Sequence, residues 1–178
     1  RENLSRVIFV NKLDRMGSDF ERVVGEVHER LTPNAVPLQL PIGQGDDFVG
    51  VVDLLRQRAL VWRDGADDLA LEPVPPSMQE RVSLAREMLL DAICETDDAL
   101  LEQRLEGAEP DLEALQIALR QATISGQLVP VLCGASRKHI GVQPLLDTIV
   151  AYLPAPTDLP PIIGKVPGSS EDVTERPD

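Results

Sequence analysis

Asn11, Lys12 and Asp14 hold the first, second and fourth places of a tetrad that follows the apolar run Val7-Ile8-Phe9-Val10. Their side chains suit one heterocycle. Guanine presents adjacent N1–H and N2–H₂ donors on one edge. An ionised carboxylate is acceptor-only with two oxygens, so Asp14 can take both bonds in fork geometry. Adenine offers an acceptor at N1 and lacks the 2-amino group. The same carboxylate then meets a lone pair and loses a bond, which is the strong kind of discrimination. The Asn11 amide can bond the base at N7 while bracing a neighbouring loop, and the Lys12 methylene stem can lie over the purine face. Three fixed residues in four positions arise by chance in roughly 2% of chains this long, so the strand context must carry part of the argument. The competing reading is a polar strand-to-helix turn. The carboxyl end of a parallel strand, where open α/β sheets bind their ligands, favours the base site.

The elements that must position the tetrad follow from periodicity. Phe20, Val23, Val24, Val27 and Leu31 recur at helical spacing, so residues 19–31 read as an amphipathic helix opened by a Ser18–Glu21 capping box. From Val36 to Arg63 the period changes. Residues 37–42, 48–53 and 58–62 read as three short antiparallel strands, followed by an acidic, proline-bearing connection over 64–76. A second capping box, Ser77 to Glu80, opens a helix whose apolar stripe is Val82, Ala85, Met88, Leu89, Ala92 and Ile93. Residues 97–106 form a short helix through Leu100, Leu101 and Leu105. Pro110 opens another, through Leu112, Leu115, Leu119 and Ala122, and Gly126 takes the C-cap. Leu128 to Cys133 is a second apolar strand, and Val142 to Leu153 a last helix through Leu145, Leu146, Ile149, Val150 and Leu153.

The pattern is βα, an insert, then βα. The fold class is therefore α/β, with two βα units as neighbours in one parallel sheet and an inserted α+β subdomain of short antiparallel strands plus helices. The expected organisation is residues 1–35 and 127–155 as the outer unit, 36–126 as the insert, and 156–178 as a linker or frayed tail rich in Pro, Gly, Ser and acids.

Composition excludes several functions. A chain of 178 residues that is 43% apolar and 26% charged can bury a proper core, and no run is long enough to cross a bilayer. A net charge of −13 repels phosphate backbones, so this segment is not expected to grip RNA or DNA directly. Aromatics at 3% argue against base-stacking platforms for single strands. Cys94 and Cys133 lie far apart without partner spacing, as buried thiols of a reducing cytoplasm do. Arg1-Glu2-Asn3 leads within a few residues into a core strand without a signal pattern, so the chain is expected to be a piece of something longer.

The second half of a base site is Cys133-Gly134-Ala135-Ser136, at the end of the second outer strand. Small residues there let backbone N–H groups approach the guanine carbonyl. A tight turn that happens to be small is the alternative, and pairing with the tetrad tips the balance to Ala135 and Ser136 as base-loop residues. The phosphate half is missing. The one Gly-Lys pair, Gly164-Lys165, runs into Val166 rather than Ser or Thr. The D-x-x-G strings Asp14 to Gly17 and Asp47 to Gly50 have no P-loop upstream and read as coincidental. His28 reads as a solvated helix residue and His139 as a loop residue, and no metal site is expected.

The run Asn11-Lys12-Leu13-Asp14-Arg15-Met16-Gly17-Ser18-Asp19-Phe20 resembles the guanine-recognition segment of translation elongation factor G. So do Val36-Pro37-Leu38-Gln39-Leu40-Pro41-Ile42-Gly43, Phe48-Val49-Gly50-Val51-Val52-Asp53-Leu54 and Val61-Trp62. Pro130-Val131-Leu132-Cys133-Gly134 and Gly141-Val142-Gln143-Pro144-Leu145-Leu146-Asp147 are similar to its last nucleotide loop and following helix. The resemblance implies the back half of a P-loop GTPase domain with its inserted subdomain. It implies a ribosome-dependent GTPase that binds GTP and GDP and drives movement of tRNA and messenger RNA. The P-loop half, with its Mg²⁺, would lie outside this chain, so the fragment alone is expected to be inactive. The implied partners are the ribosome and, through the insert, the ribosomal stalk protein. A ribosome-recycling or ribosome-protection paralogue, a release factor, and an interaction module with a vestigial base site are the alternatives. Ala135 then Ser136 replaces the family's usual Ser then Ala, and Arg137-Lys138-His139-Ile140 departs further, which leaves open which N–H meets the base.

Overall fold

The computed structural model describes residues 4–63, 69–158, 162–165 and 172–175. Strands β1 (Ile8–Val10), β2 (Ala35–Pro37) and β7 (Val129–Cys133) form a parallel sheet in the order β1-β7-β2. β7 is central and every one of its residues is buried, as its unbroken apolar sequence requires. Strands β3 (Gln39–Ile42), β4 (Gly50–Asp53), β5 (Arg58–Trp62) and β6 (Leu69–Pro73) make an antiparallel meander. Helix α1 (Phe20–Arg30) follows β1. Helices α2 (Gln79–Cys94), α3 (Asp98–Leu105) and α4 (Leu112–Ile124) lie between β6 and β7, and α5 (Val142–Tyr152) follows β7. One buried apolar cluster runs through both sheets and the helices, so the two units share a core. In α1 it takes Phe20, Val24 and Val27, each contributing about 1.5–3 kcal/mol of burial.

The parallel sheet has three strands rather than the two expected. Ala35 to Pro37 pairs with Val129 to Val131, and the chain then leaves that sheet at Leu38. Leu38 N–H donates to Val131 O and its own carbonyl accepts from Leu54 N–H, so this residue sits where the sheets meet. A strand that switches sheets keeps its apolar alternation, which is why 37–42 reads as one strand. The connection expected over 64–76 is in part β6, paired residue for residue with β5. It is an edge strand ending in Pro73, and of its five residues Leu71 and Pro73 are exposed while Leu69, Ala70 and Glu72 are half-buried. Residues 64–68 lie outside the described part.

Neither capping box forms. Asp19, not Ser18, caps α1, accepting from Arg22 N–H at 2.9 Å. Before α2 a short 3₁₀ turn over Pro76–Met78 hands its hydrogen bonds directly to the helix, and no side chain caps it. Met88 is 67% exposed, and Leu90 and Arg86 are buried instead. In α5 the aliphatic residues Leu146, Ile149 and Val150 face outward while Pro144, Thr148 and Tyr152 are buried. A helix with apolar residues on two faces has a clear period but an ambiguous phase, and the neighbours choose. Within the expected tail, the backbone of β8 (Ile162–Lys165), including Gly164 and Lys165, pairs antiparallel with β9 (Asp172–Glu175).

Candidate functional site

β1 and β7 run parallel with Val10 level with Cys133. The two loops that follow therefore leave the sheet at the same end, side by side. Gly134 N–H donates to Val10 O at 3.0 Å and Leu13 N–H donates to Gly134 O at 3.2 Å, which zips the loops past the strand ends. A Cβ on Gly134 would stand 2.4 Å from Ile140 O and 2.7 Å from Phe9 Cζ, so only glycine fits.

Asn11 holds the two loops together. Its Oδ1 accepts from Lys12 N–H at 2.8 Å and from Ser136 N–H at 3.0 Å. With the oxygen occupied, the amide presents Nδ2, a donor, to whatever lies beyond. A donor is what purine N7 requires. Lys12 carries a left-handed backbone at φ +66, rare for a residue with a Cβ. Strain of this kind concentrates at sites where the surroundings enforce it. Here the Asn11 oxygen on its N–H and Arg15 N–H on its carbonyl do so.

Asp14 sits in the next turn with its side chain 13% exposed, and Lys138 Nζ stands 4.0 Å from its Oδ2. The carboxylate is thus half-sheltered beside a cation, and it faces the loop that Asn11 ties down. Ala135 is buried, and its N–H is spent on Ile140 O at 2.9 Å. Ser136 is exposed, and its N–H carries the bond to Asn11. Of the two small residues, Ser136 is the one at the open surface. Left-handed His139 and Gly141 close the loop, and a Cβ on Gly141 would meet Cys133 O at 2.5 Å.

Sequence reasoning misses three participants. Lys138 gives only a basic loop residue as its signal. Ser18 reads as a cap, yet its Oγ donates to Leu13 O at 2.8 Å and accepts from Gly45 N–H at 3.3 Å. Gly45, in the loop between β3 and β4, gives no signal at all. His28 is an exposed helix residue, as expected, and its Nε2 also donates to Ala35 O at 2.7 Å, joining α1 to β2. Gly50 of the second D-x-x-G string has a structural reason to be glycine, since a Cβ there would stand 2.2 Å from Leu60 O. Among the described residues no three His, Cys, Asp or Glu side chains are placed to hold a metal ion, and no helix is long and apolar enough to cross a membrane.

The family described as Elongation factor Tu GTP binding domain matches residues 1–155. The chain belongs to that family. Elongation factor G of Aquifex pyrophilus is 46% identical over 99% of this chain. The chain spans only 26% of that relative's length. A solved protein from Thermus thermophilus superposes with a TM-score of 0.79 at 37% identity, over 89% of this chain and 24% of the other. The mixed architecture, a parallel sheet with a separate antiparallel one, is the fold of this GTP-binding domain family. Asn11, Lys12, Asp14, Ala135 and Ser136 all lie within the matched span.

Proposed function

We propose that this chain is the guanine-recognition part of a translational GTPase of the elongation factor G type. In that reading Asp14 takes the N1–H and N2–H₂ donors of the base, Asn11 braces the loops and offers Nδ2 to N7, and Lys12 covers the ring. Ser136 faces the guanine carbonyl at the loop surface, with Ala135 setting the turn behind it. The carrying observation is the hydrogen bond from Ser136 N–H to Asn11 Oδ1, which joins the tetrad to the second loop and turns the amide donor outward.

The whole protein would bind GTP and GDP, hydrolyse GTP and promote movement of tRNA and messenger RNA on the ribosome, in the cytoplasm. Mg²⁺ and the phosphates would be held by a P-loop half outside this chain, because the tetrad and the 134–136 loop supply only base contacts. Residues 1–37 and 127–155 would belong to the nucleotide-binding domain, the boundary expected at 35 moving past β2 because Val36 and Pro37 pair with β7. Residues 38–126 would form its insert, with 156–178 as a linker. The ribosomal stalk protein is the partner proposed for the insert. The isolated chain would be catalytically silent and bind GDP very weakly, since the charge-assisted phosphate bonds carry much of the affinity.

Calorimetric titration of the full-length protein with GDP and ADP tests the base site. Tight GDP binding without ADP binding is expected. Indifference to both nucleotides would leave an interaction module with a vestigial site and overturn the proposal. Micromolar GDP binding by the bare chain would contradict the phosphate argument.

A further inference from the structure

The loop that bears Asp14 is held from behind by a part of the molecule remote from the base. Leu13, one residue before Asp14, is 3% exposed, and its carbonyl accepts two hydrogen bonds. One comes from Gly45 N–H at 2.8 Å, the other from Ser18 Oγ at 2.8 Å. Ser18 Oγ in turn accepts from the same Gly45 N–H at 3.3 Å, closing a three-membered ring of polar groups. The rest of the loop is two successive turns, Arg15 N–H to Lys12 O and Ser18 N–H to Arg15 O. Nothing in those turns alone fixes the loop against the sheet. Leu13 N–H ties it to Gly134 O on one side and the Gly45 N–H holds Leu13 O on the other, with the Ser18 hydroxyl bridging that carbonyl and that N–H. Gly45 reaches the ring only because its backbone is left-handed at φ +60, and it belongs to the segment between β3 and β4.

We propose that Ser18 is a positioning residue for guanine recognition, holding Asp14 in fork register through Leu13 O, and that the Gly45 segment of the antiparallel unit is thereby part of the base site. The inference rests on the reading of Asp14 as the base acceptor. Two parallel bonds to one base edge are directional, and both weaken together if the carboxylate tilts. An alanine at 18 removes one donor to Leu13 O and one acceptor for Gly45 N–H, so the turn that carries Asp14 loosens. A threonine keeps the hydroxyl. The loss should fall on both base-edge bonds, of which an inosine base makes only the N1–H one, because contacts to the phosphates and the purine face are made elsewhere.

The test compares GDP with inosine diphosphate, which lacks the 2-amino group, on the full-length protein and its variants. Ser18→Ala should weaken GDP binding about ten-fold and inosine diphosphate binding less, since that base has one Asp14 bond to lose instead of two, narrowing the preference, while Ser18→Thr restores it. Ser18→Cys, which keeps the volume but weakens both bonds, provides the same reading if the alanine variant does not fold. An unchanged preference in Ser18→Ala, or a threonine variant as impaired as alanine, overturns the proposal. Asp14→Asn separates the two levels. An amide donor matches the 2-carbonyl of xanthine, so this variant should exchange GDP for xanthosine diphosphate. If it does so while the Ser18 variants keep wild-type preference, the base site stands and Ser18 has no part in it. If it does not, the base-site reading itself falls.

Discussion

Asn11 Oδ1 and Ser136 N–H, separated by 125 residues of chain, meet at 3.0 Å across the open end of the parallel sheet. That single bond makes two strand ends into one surface, and it determines which end of the Asn11 amide is free. The oxygen serves the protein. In the proposed reading, the nitrogen meets the base.

Asn11 variants separate bracing from base contact. Asn11→Asp keeps an oxygen for the Ser136 and Lys12 N–H groups but loses the Nδ2 donor, so it should leave thermal stability near wild type and weaken GDP binding about ten-fold. Asn11→Ala loses both, and should lower the melting temperature as well as the affinity. Equal melting temperatures for wild type and Asn11→Ala would mean that the brace carries no weight.

Gly134→Ala should be severely destabilising. The added methyl stands 2.4 Å from Ile140 O, a backbone atom that cannot swing away. Overpacking of this kind costs about 1–3 kcal/mol or more, and denaturant unfolding measures it. A loss below about 0.5 kcal/mol, the range of an unconstrained surface change, would mean that the loop relaxes freely.

Arg120 fastens the C-terminal end of α5 to α4. Its guanidinium donates to Ala151 O at 2.6 Å and Leu153 O at 3.2 Å, and to Asp158 Oδ2 at 2.6 Å. These carbonyls have no helical partner of their own, and a cation there also suits the helix dipole. With the side chain 31% exposed, Arg120→Ala should cost about 1–2 kcal/mol in urea unfolding. Lysine should recover only part of that, lacking the planar fork.

Both cysteines should resist alkylation at pH 8 in the folded protein and react in urea. Burial pushes the Cys133 thiol far up, with Arg81 opposing only weakly. Burial also raises Cys94, against the pull of Arg104. A raised value leaves the thiol protonated at pH 8, and the thiolate is the nucleophile. Maleimide labelling followed by mass spectrometry checks this, and rapid labelling of Cys133 in the native state would show that β7 opens readily.

The tetrad, the strand before it and the alternation of strand and helix were legible because each is a local pattern. Val7 to Val10 has the apolar continuity of a buried strand, and α1, α3 and α4 show their period within one or two residues of their ends. The caps were not legible. Ser18 and Ser77 have the right spacing for capping boxes, but a hydroxyl goes to whichever partner the packed chain offers, and for Ser18 that partner is Leu13 O and Gly45 N–H. Leu146, Ile149 and Val150 of α5 show the same limit from the apolar side, since a helical period does not say which face is covered.

By itself the sequence determined which groups the proposed base site has to work with, because an acceptor-only carboxylate beside an amide and a cation is a matter of residue type and spacing. Tertiary structure alone decided that the third parallel strand is Ala35 to Pro37, that Ser136 rather than Ala135 faces outward, and that Gly45 stands behind Asp14. Those outcomes depend on hydrogen bonds between residues tens of positions apart. Such bonds form only after the sheets have packed, and no local pattern records them.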